Sequence, residues 1–157
     1  MAKPEEPIKS NLPERAEELI CFALYSANHA MNRSYKPHLA ALGLTYPQYI
    51  TLVSLWQKDG VTVGSLCAQL MMETNTLTPL LKRLERLGHI ERRRDGKDER
   101  QVFIYLTTSG RALKAKAPTI TDCIINDTGV PLEQLGELVR TLSSMRDHLI
   151  DTREKSE

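Results

Sequence analysis

Apolar positions recur at intervals of three and four along most of the chain and at intervals of two over one short stretch. Asn11 reads as a helix N-cap, with Pro13 in the first turn and Glu14 three residues after the cap. Behind it Ala16, Leu19, Ile20, Ala23, Leu24, Ala27, Ala30 and Met31 follow helical spacing, which predicts a long helix to about Tyr35, broken or kinked by Pro37. Leu39 to Leu42 make a short turn that Gly43 stops. Thr45 caps a second helix, with Gln48 at the capping-box position and a stop at Asp59-Gly60. Thr62 caps a third, through Leu70. Glu73-Thr74-Asn75 opens a fourth, which turns Leu77, Leu80, Leu81, Leu84 and Leu87 inward and Lys82, Arg83 and Arg86 outward, with Gly88 just past its end.

There the period changes to two. His89 to Arg94 and Gln101 to Leu106 read as paired strands around the turn Asp95-Gly96-Lys97-Asp98-Glu99, the second alternating Val102, Ile104 and Leu106 against Phe103 and Tyr105. Two further helices are predicted, from about Thr108 to Asn126 and from Pro131 to about Ile150. The last carries Leu135, Leu138, Leu142, Met145 and Leu149 at alternating steps of three and four, a seam that wants a partner helix.

The expected fold is mainly α with a small β-hairpin, a winged helix-turn-helix over residues 45–107. Residues 1–10, with two prolines and mixed charge, read as a flexible tail ahead of a single domain, 11–157. The outer segments, 11–44 and 108–150, have long apolar faces and little core of their own. A homodimer joined through both ends of the chain is the economical way to cover them.

Composition narrows the function by exclusion. Lys and Arg number 21 against 20 Asp and Glu, so the net charge of +1 announces no polyanionic partner. The longest apolar run, Leu19 to Tyr25, spans seven residues where a bilayer crossing needs about 20, and Met1 to Pro7 does not resemble a signal peptide. A cytoplasmic protein without a membrane partner is expected. The charge is unevenly placed, however: residues 82–101 hold eight basic and five acidic side chains, and residues 1–20 hold three and five. The basic excess falls on the fourth helix and the hairpin, the elements that face the major groove and flanking backbone in a helix-turn-helix. A solvated helix face beside a charged hairpin is the plainer explanation, and the order of elements favours double-stranded DNA over it.

Three cysteines, Cys21, Cys67 and Cys123, are too few and too far apart for a disulfide framework. No CxxC occurs and His29, His38, His89 and His148 are scattered, so neither a metal nor another cofactor is expected. Cys21 lies in mid-helix among apolar neighbours, where a free cysteine is ordinarily a small buried hydrophobe. A peroxide-reactive thiol needs an access route and support for its thiolate. Tyr25, one turn on, is the local hydrogen-bond donor available to it.

These residues resemble the MarR family of bacterial transcriptional regulators. Asn75-Thr76-Leu77-Thr78-Pro79-Leu80-Leu81-Lys82-Arg83-Leu84-Glu85 is similar to the family's recognition helix, and Asp98-Glu99-Arg100 with Leu106-Thr107 to its wing pattern. Ile20-Cys21-Phe22-Ala23-Leu24-Tyr25 and Leu42-Gly43-Leu44-Thr45-Tyr46-Pro47-Gln48-Tyr49 look like the organic-hydroperoxide-sensing, OhrR-type branch. The start Glu73-Thr74-Asn75 departs from the Asp-Ser-Gly expected there.

The resemblance implies a repressor, not an enzyme. It would bind operator DNA when reduced and release it when organic hydroperoxides oxidise Cys21. Tyr35 and Tyr46 would join Tyr25 at the thiolate, one or both from the partner subunit, and Cys123 would resolve the oxidised Cys21 across the dimer. Phe22 and Met72 are possible lining residues of an apolar site, and Cys67 reads as core. The resemblance also implies a DNA-binding set of Thr74, Thr76, Thr78, Pro79, Lys82, Arg83, Asp98 and Arg100. Of these Thr76, Thr78 and Lys82 would enter the major groove and Arg100 the minor groove, with Asp98 as its ion-pair partner. Two alternatives stay open: a regulator of the same family released by a phenolic ligand, and a thiol peroxidase using Cys21 and Cys123.

Overall fold

The computed structural model describes residues 15–98 and 100–155. The expected tail, the Asn11 cap with Pro13 and Glu14, and Glu99 of the hairpin turn lie outside them. The chain divides into two compact units, the first ending at Arg111 and the second starting at Ala112.

The first unit opens with a 3-10 turn, Ala16–Glu18, then α1 (Ile20–Ala40). The single long helix expected here is divided, because Leu19 is extended (φ −84°, ψ 126°). None of Ala16–Glu18 is buried, so packing gives that turn nothing to lengthen against. At the other end α1 continues through Pro37 to Ala40, past the end near Tyr35 and the break or kink at Pro37 that the sequence predicts. Proline forfeits one hydrogen bond, to the carbonyl four residues back, but it is followed by less than a turn of helix. That last stretch buries Leu39 to 1% exposure against α2 (Tyr46–Gln57). Gly43 and Gly88 (φ +68° and +75°) stop their segments in left-handed backbone, as the sequence predicts.

The predicted caps form. The Gln48 side-chain carbonyl accepts the Thr45 N–H at 2.8 Å, and the Thr62 hydroxyl accepts the Ser65 N–H at 3.1 Å at the start of α3 (Val63–Leu70). After α4 (Thr74–Arg86) the hairpin is as expected, but it belongs to a three-stranded sheet. β1 (Val61–Thr62), β2 (Ile90–Arg94) and β3 (Val102–Leu106) lie in the order β1-β3-β2, all antiparallel, with Val61 opposite Ile104 and Ile90 opposite Leu106. Two residues carry no periodicity, so β1 is invisible to pattern reading.

Leu52, Leu55, Leu66, Leu77, Leu81, Leu84, Ile90 and Ile104 are each at most 1% exposed and form one core beneath α2, α3, α4 and the sheet. Of the leucines expected inward on α4, Leu80 is half-buried and Leu87 is 42% exposed, since α4 ends at Arg86. Asp59 closes the unit. Its Oδ1 accepts the N–H of Gly60 at 2.9 Å and of Leu106 at 2.8 Å, and its Oδ2 pairs with the Arg111 guanidinium. Beside it the Trp56 indole N–H donates to the Gly110 carbonyl at 2.9 Å, and the Thr107 hydroxyl donates to the Gly88 carbonyl at 2.6 Å.

The predicted fifth helix is three pieces: α5 (Thr108–Ala112), a 3-10 segment (Leu113–Lys116) and α6 (Ala117–Thr128). Pro118 is the reason. It has no N–H for the Lys114 carbonyl and its ring crowds that carbonyl, so α6 begins afresh with the proline in its first turn. In the second unit α6 buries Ile120 and Ile124, while α7 (Leu132–Glu154) buries none of its side chains. Leu132, Leu138, Val139, Leu149 and Ile150 of α7 are exposed. Among the described residues no helix is long and apolar enough to cross a membrane.

Two substitutions test this frame. A Cβ on Gly110 would overlap the His89 carbonyl oxygen, so Gly110→Ala should destabilise the chain by about 3 kcal/mol in a urea titration. Asp59→Ala strands the Leu106 N–H and removes the ion pair with Arg111, and should cost about 2 kcal/mol by the same measurement.

Candidate functional site

The geometry of α4 separates core from surface. Leu77, Leu81 and Leu84 face inward, leaving Thr74, Asn75, Thr76, Pro79, Lys82, Arg83 and Arg86 exposed on the opposite side. The turn into α4 is tight, with Met71 in the left-handed region at φ 53° and the Met72 N–H on the Cys67 carbonyl at 3.0 Å. Cys67 is half-buried rather than core, because it sits where α3 meets the start of α4. Its sulfur lies 3.7 Å from the Thr74 hydroxyl.

Thr78 departs from the expected outward set. It is half-buried and lines a cleft of about 320 Å³ together with Thr74, Arg92 and Arg100. A second cleft, about 490 Å³, lies farther along α4 between Pro79, Lys82, Glu85, Arg86 and Arg92.

The wing extends the basic surface, with Arg93, Arg94, Lys97 and Arg100 exposed. Arg93 is held by Glu91 at 2.6 Å and lies 4.8 Å from the centroid of the Tyr105 ring, which stiffens the strand pair. Asp98 meets Arg100 differently from the ion pair expected: its Oδ1 accepts the Arg100 backbone N–H at 3.0 Å. That contact shapes the turn and leaves the guanidinium exposed to solvent. Asp95 does the same for the Lys97 N–H at 3.2 Å.

The cysteine region is arranged otherwise than its sequence suggests. Because α1 starts at Ile20, Cys21 lies in the first helical turn, not in mid-helix, and it is exposed. Around it Leu19, Ile20, Phe22 and Tyr25 are 39–67% exposed, an apolar surface patch. The Tyr25 ring stacks toward His29, with centroids 6.4 Å apart. Tyr35 and Tyr46 are in contact with each other, centroids 4.8 Å apart, and Tyr49 lies 6.1 Å from Tyr35. Burial pushes the Tyr35 hydroxyl above the ordinary phenol value, with the neighbouring Tyr46 and Tyr49 adding to it. Burial alone does the same for Tyr46. Both phenols therefore keep their protons near neutrality and remain donors.

This cluster cannot serve the Cys21 of its own chain. Tyr35 lies fourteen positions after Cys21 on α1, about 21 Å along the axis. Cys123 is half-buried in α6 of the second unit. Among the described residues no group of His, Cys, Asp and Glu is placed to hold a metal ion.

A helix-turn-helix whose second helix presents a basic, hydroxyl-rich face, followed by a basic two-stranded wing, defines a winged-helix DNA-binding protein. Comparison with known proteins narrows the class. The family described as Transcriptional regulator SarA/Rot matches residues 33–117. The chain is 45% identical over 137 residues to the HTH-type transcriptional regulator TtmR of Methylorubrum extorquens, covering 87% of this chain and 70% of that one. It is 42% identical over 131 residues to the organic hydroperoxide resistance transcriptional regulator of Bacillus subtilis, covering 82% and 89%. Among solved structures it resembles AbfR of Staphylococcus epidermidis. Reduced AbfR bound to DNA matches with TM-score 0.69 and 32% identity over 83% of this chain and 91% of that one. The disulfide form of AbfR matches with TM-score 0.62 and 33% identity over 84% and 90%. The chain belongs to the MarR/SarA family of transcriptional regulators.

One residue missing from the sequence-derived set stands out: Arg92 of β2 lines both clefts beside α4. It is hidden in a run of three arginines, and only the inward turn of alternate residues along β2 distinguishes it.

The wing yields a direct test. Arg100→Ala should weaken binding to a target duplex by about 1–3 kcal/mol in a fluorescence titration, since its guanidinium is exposed and unencumbered by Asp98. Asp98→Ala should weaken binding less, because it loosens the turn without removing the charge.

Proposed function

We propose that the chain is a homodimeric, redox-switched repressor that holds operator DNA while reduced and releases it when an organic hydroperoxide oxidises Cys21. The observation that carries the reading is the exposed Cys21 thiol within an exposed apolar patch on the first turn of α1. The patch gives an alkyl or aromatic hydroperoxide tail a surface to bury against. Support also comes from the relatives, one named for organic hydroperoxide resistance and another known both reduced on DNA and as a disulfide.

A second copy supplies what one chain lacks. It covers the apolar faces of α1 and α7, and it brings the protonated Tyr35 and Tyr46 of one chain toward the other chain's Cys21. Tyr25 completes the donor set from the same helix. In the first step the Cys21 thiolate attacks one peroxide oxygen, the O–O bond breaks, and the alkoxide leaves as an alcohol after taking a proton. Cys21 is then a sulfenic acid. In the second step the partner's Cys123 attacks the sulfenic sulfur, forming a disulfide and releasing water. A disulfide needs Cα atoms within roughly 7 Å, so its formation draws α6 toward the partner's α1 and shifts the DNA-binding segment, residues 45–107. Thr74, Thr76, Thr78, Pro79, Lys82 and Arg83 form the groove face and Arg100 the wing contact, with Asp98 shaping its turn.

The test is a gel shift on the chain's own upstream DNA, before and after cumene hydroperoxide. Wild type should release the duplex, and Cys21→Ser should bind with equal affinity and stay bound. A non-reducing gel should show a covalent dimer that Cys123→Ser abolishes, that variant stopping at sulfenic acid. Peroxide-triggered release by Cys21→Ser would rule the sensor reading out.

A further inference from the structure

The two clefts beside α4 share Arg92, although it lies on β2. Its setting is unusual for a surface arginine. The side chain is 24% exposed, and its Nε–H is buried without a hydrogen-bond partner among the described residues. Glu85 of α4 is the neighbouring acid and forms an ion pair with it, while its Oε1 accepts the Arg92 backbone N–H at 3.1 Å. Its Oε2 stands 3.7 Å from Nη1, beyond hydrogen-bond length. Glu85 thus anchors Arg92 through its backbone and pairs with the guanidinium without a side-chain hydrogen bond, leaving the Nε–H unpartnered.

Guanidinium is planar, always charged and matched to two oxygens of one phosphate. Thr74, Thr78 and Arg100 border it on one side and Lys82 and Arg86 on the other, so an anion reaching Arg92 passes between α4 and the wing. We infer that Arg92 binds a backbone phosphodiester of duplex DNA where the strand crosses from the recognition helix to the wing. Its role is sequence-independent: it fixes the depth of α4 in the groove without reading a base. The inference rests on the DNA-binding reading and adds to it a residue that charge counting alone does not single out.

The experiment uses the full reduced chain and a fluorescein-labelled 30-base-pair duplex of mixed sequence, with affinity measured across a range of salt concentrations. Each lost phosphate contact should make the dependence of log affinity on log salt shallower by about 0.9, so losing Arg92 from both copies of the dimer should make it shallower by about 1.8. Arg92→Gln, which keeps the backbone contact to Glu85 and much of the stem, should show that change and bind about tenfold more weakly at 0.15 M salt. Arg92→Lys should retain the wild-type slope with an intermediate loss. A wild-type slope for Arg92→Gln with an unchanged melting temperature would overturn the assignment.

Should Arg92→Gln fail to fold, the Nε–H resonance of Arg92 in the wild-type chain decides. It should move when the duplex is added and stay put with inorganic phosphate at equal phosphate concentration. An unmoved resonance with duplex, or an equal shift with free phosphate, would overturn the assignment. Failure of the wild-type chain to bind the duplex at any salt would remove the underlying reading, and the inference with it.

Discussion

The DNA-binding surface depends on one carboxylate. Asp59 stands at the end of α2, accepts the Leu106 N–H from the end of β3, and pairs with Arg111 of α5. A single side chain thereby ties the helix under the recognition helix to the base of the wing and to the helix that leads out of the unit. Hydrogen bonds to an ionised acceptor are worth more than neutral ones, and the Leu106 N–H loses its acceptor if the carboxylate is lost. The neighbouring bonds of Trp56 and Thr107 to the carbonyls of Gly110 and Gly88 brace the same corner, where Gly110 leaves room for no side chain. The angle between α4 and the wing is therefore fixed from behind, and the front is free to carry charge.

That division explains how a nearly neutral chain presents a basic face. The core leucines of α4 occupy one side of the helix, so Lys82, Arg83 and Arg86 have only the other side available. The acids interspersed with them are turned to structural use. Glu91 holds Arg93, Glu85 takes the Arg92 N–H, and Asp95 and Asp98 cap amides of the wing turn. Acid and base are nearly balanced in number but not in role, and a net-charge argument cannot see the difference.

The parts legible from sequence were those with local causes. The period of the leucines, the Thr45–Gln48 and Thr62 caps, the glycine stops and the alternation along β3 each depend on residues within a turn or two. The illegible parts depend on residues far apart or on end effects. Asp59 meets partners 47 and 52 positions away, and β1 exists only because β3 is beside it. Pro118 splits a helix whose apolar spacing continues across it, whereas Pro37 does not, because a buried leucine follows it. The start of α1 was misplaced for the same kind of reason, and with it the setting of Cys21: helical spacing runs on through Leu19, but the backbone does not.

The displaced start of α1 bears on mechanism as well as on geometry. A mid-helix cysteine among apolar residues would be shielded in one chain and would need an opening to react. A first-turn cysteine is open in one chain and must instead be given its surroundings. Tyr35 and Tyr46 do so in the proposed switch: Tyr35 lies about 21 Å along the same helix and Tyr46 of α2 packs on it, so within one chain the pair is far from the thiol and only a second chain can bring it near. In the proposed switch, sensing and assembly therefore use the same surface. In that proposal the apolar patch that draws two copies together is also the one that lines the approach of the peroxide, and a covalent change at Cys21 acts on the contacts that hold the copies in register. A sensor built this way needs no separate relay from its thiol to its DNA-binding face, because the interface that positions the thiol also sets the spacing of the two recognition helices.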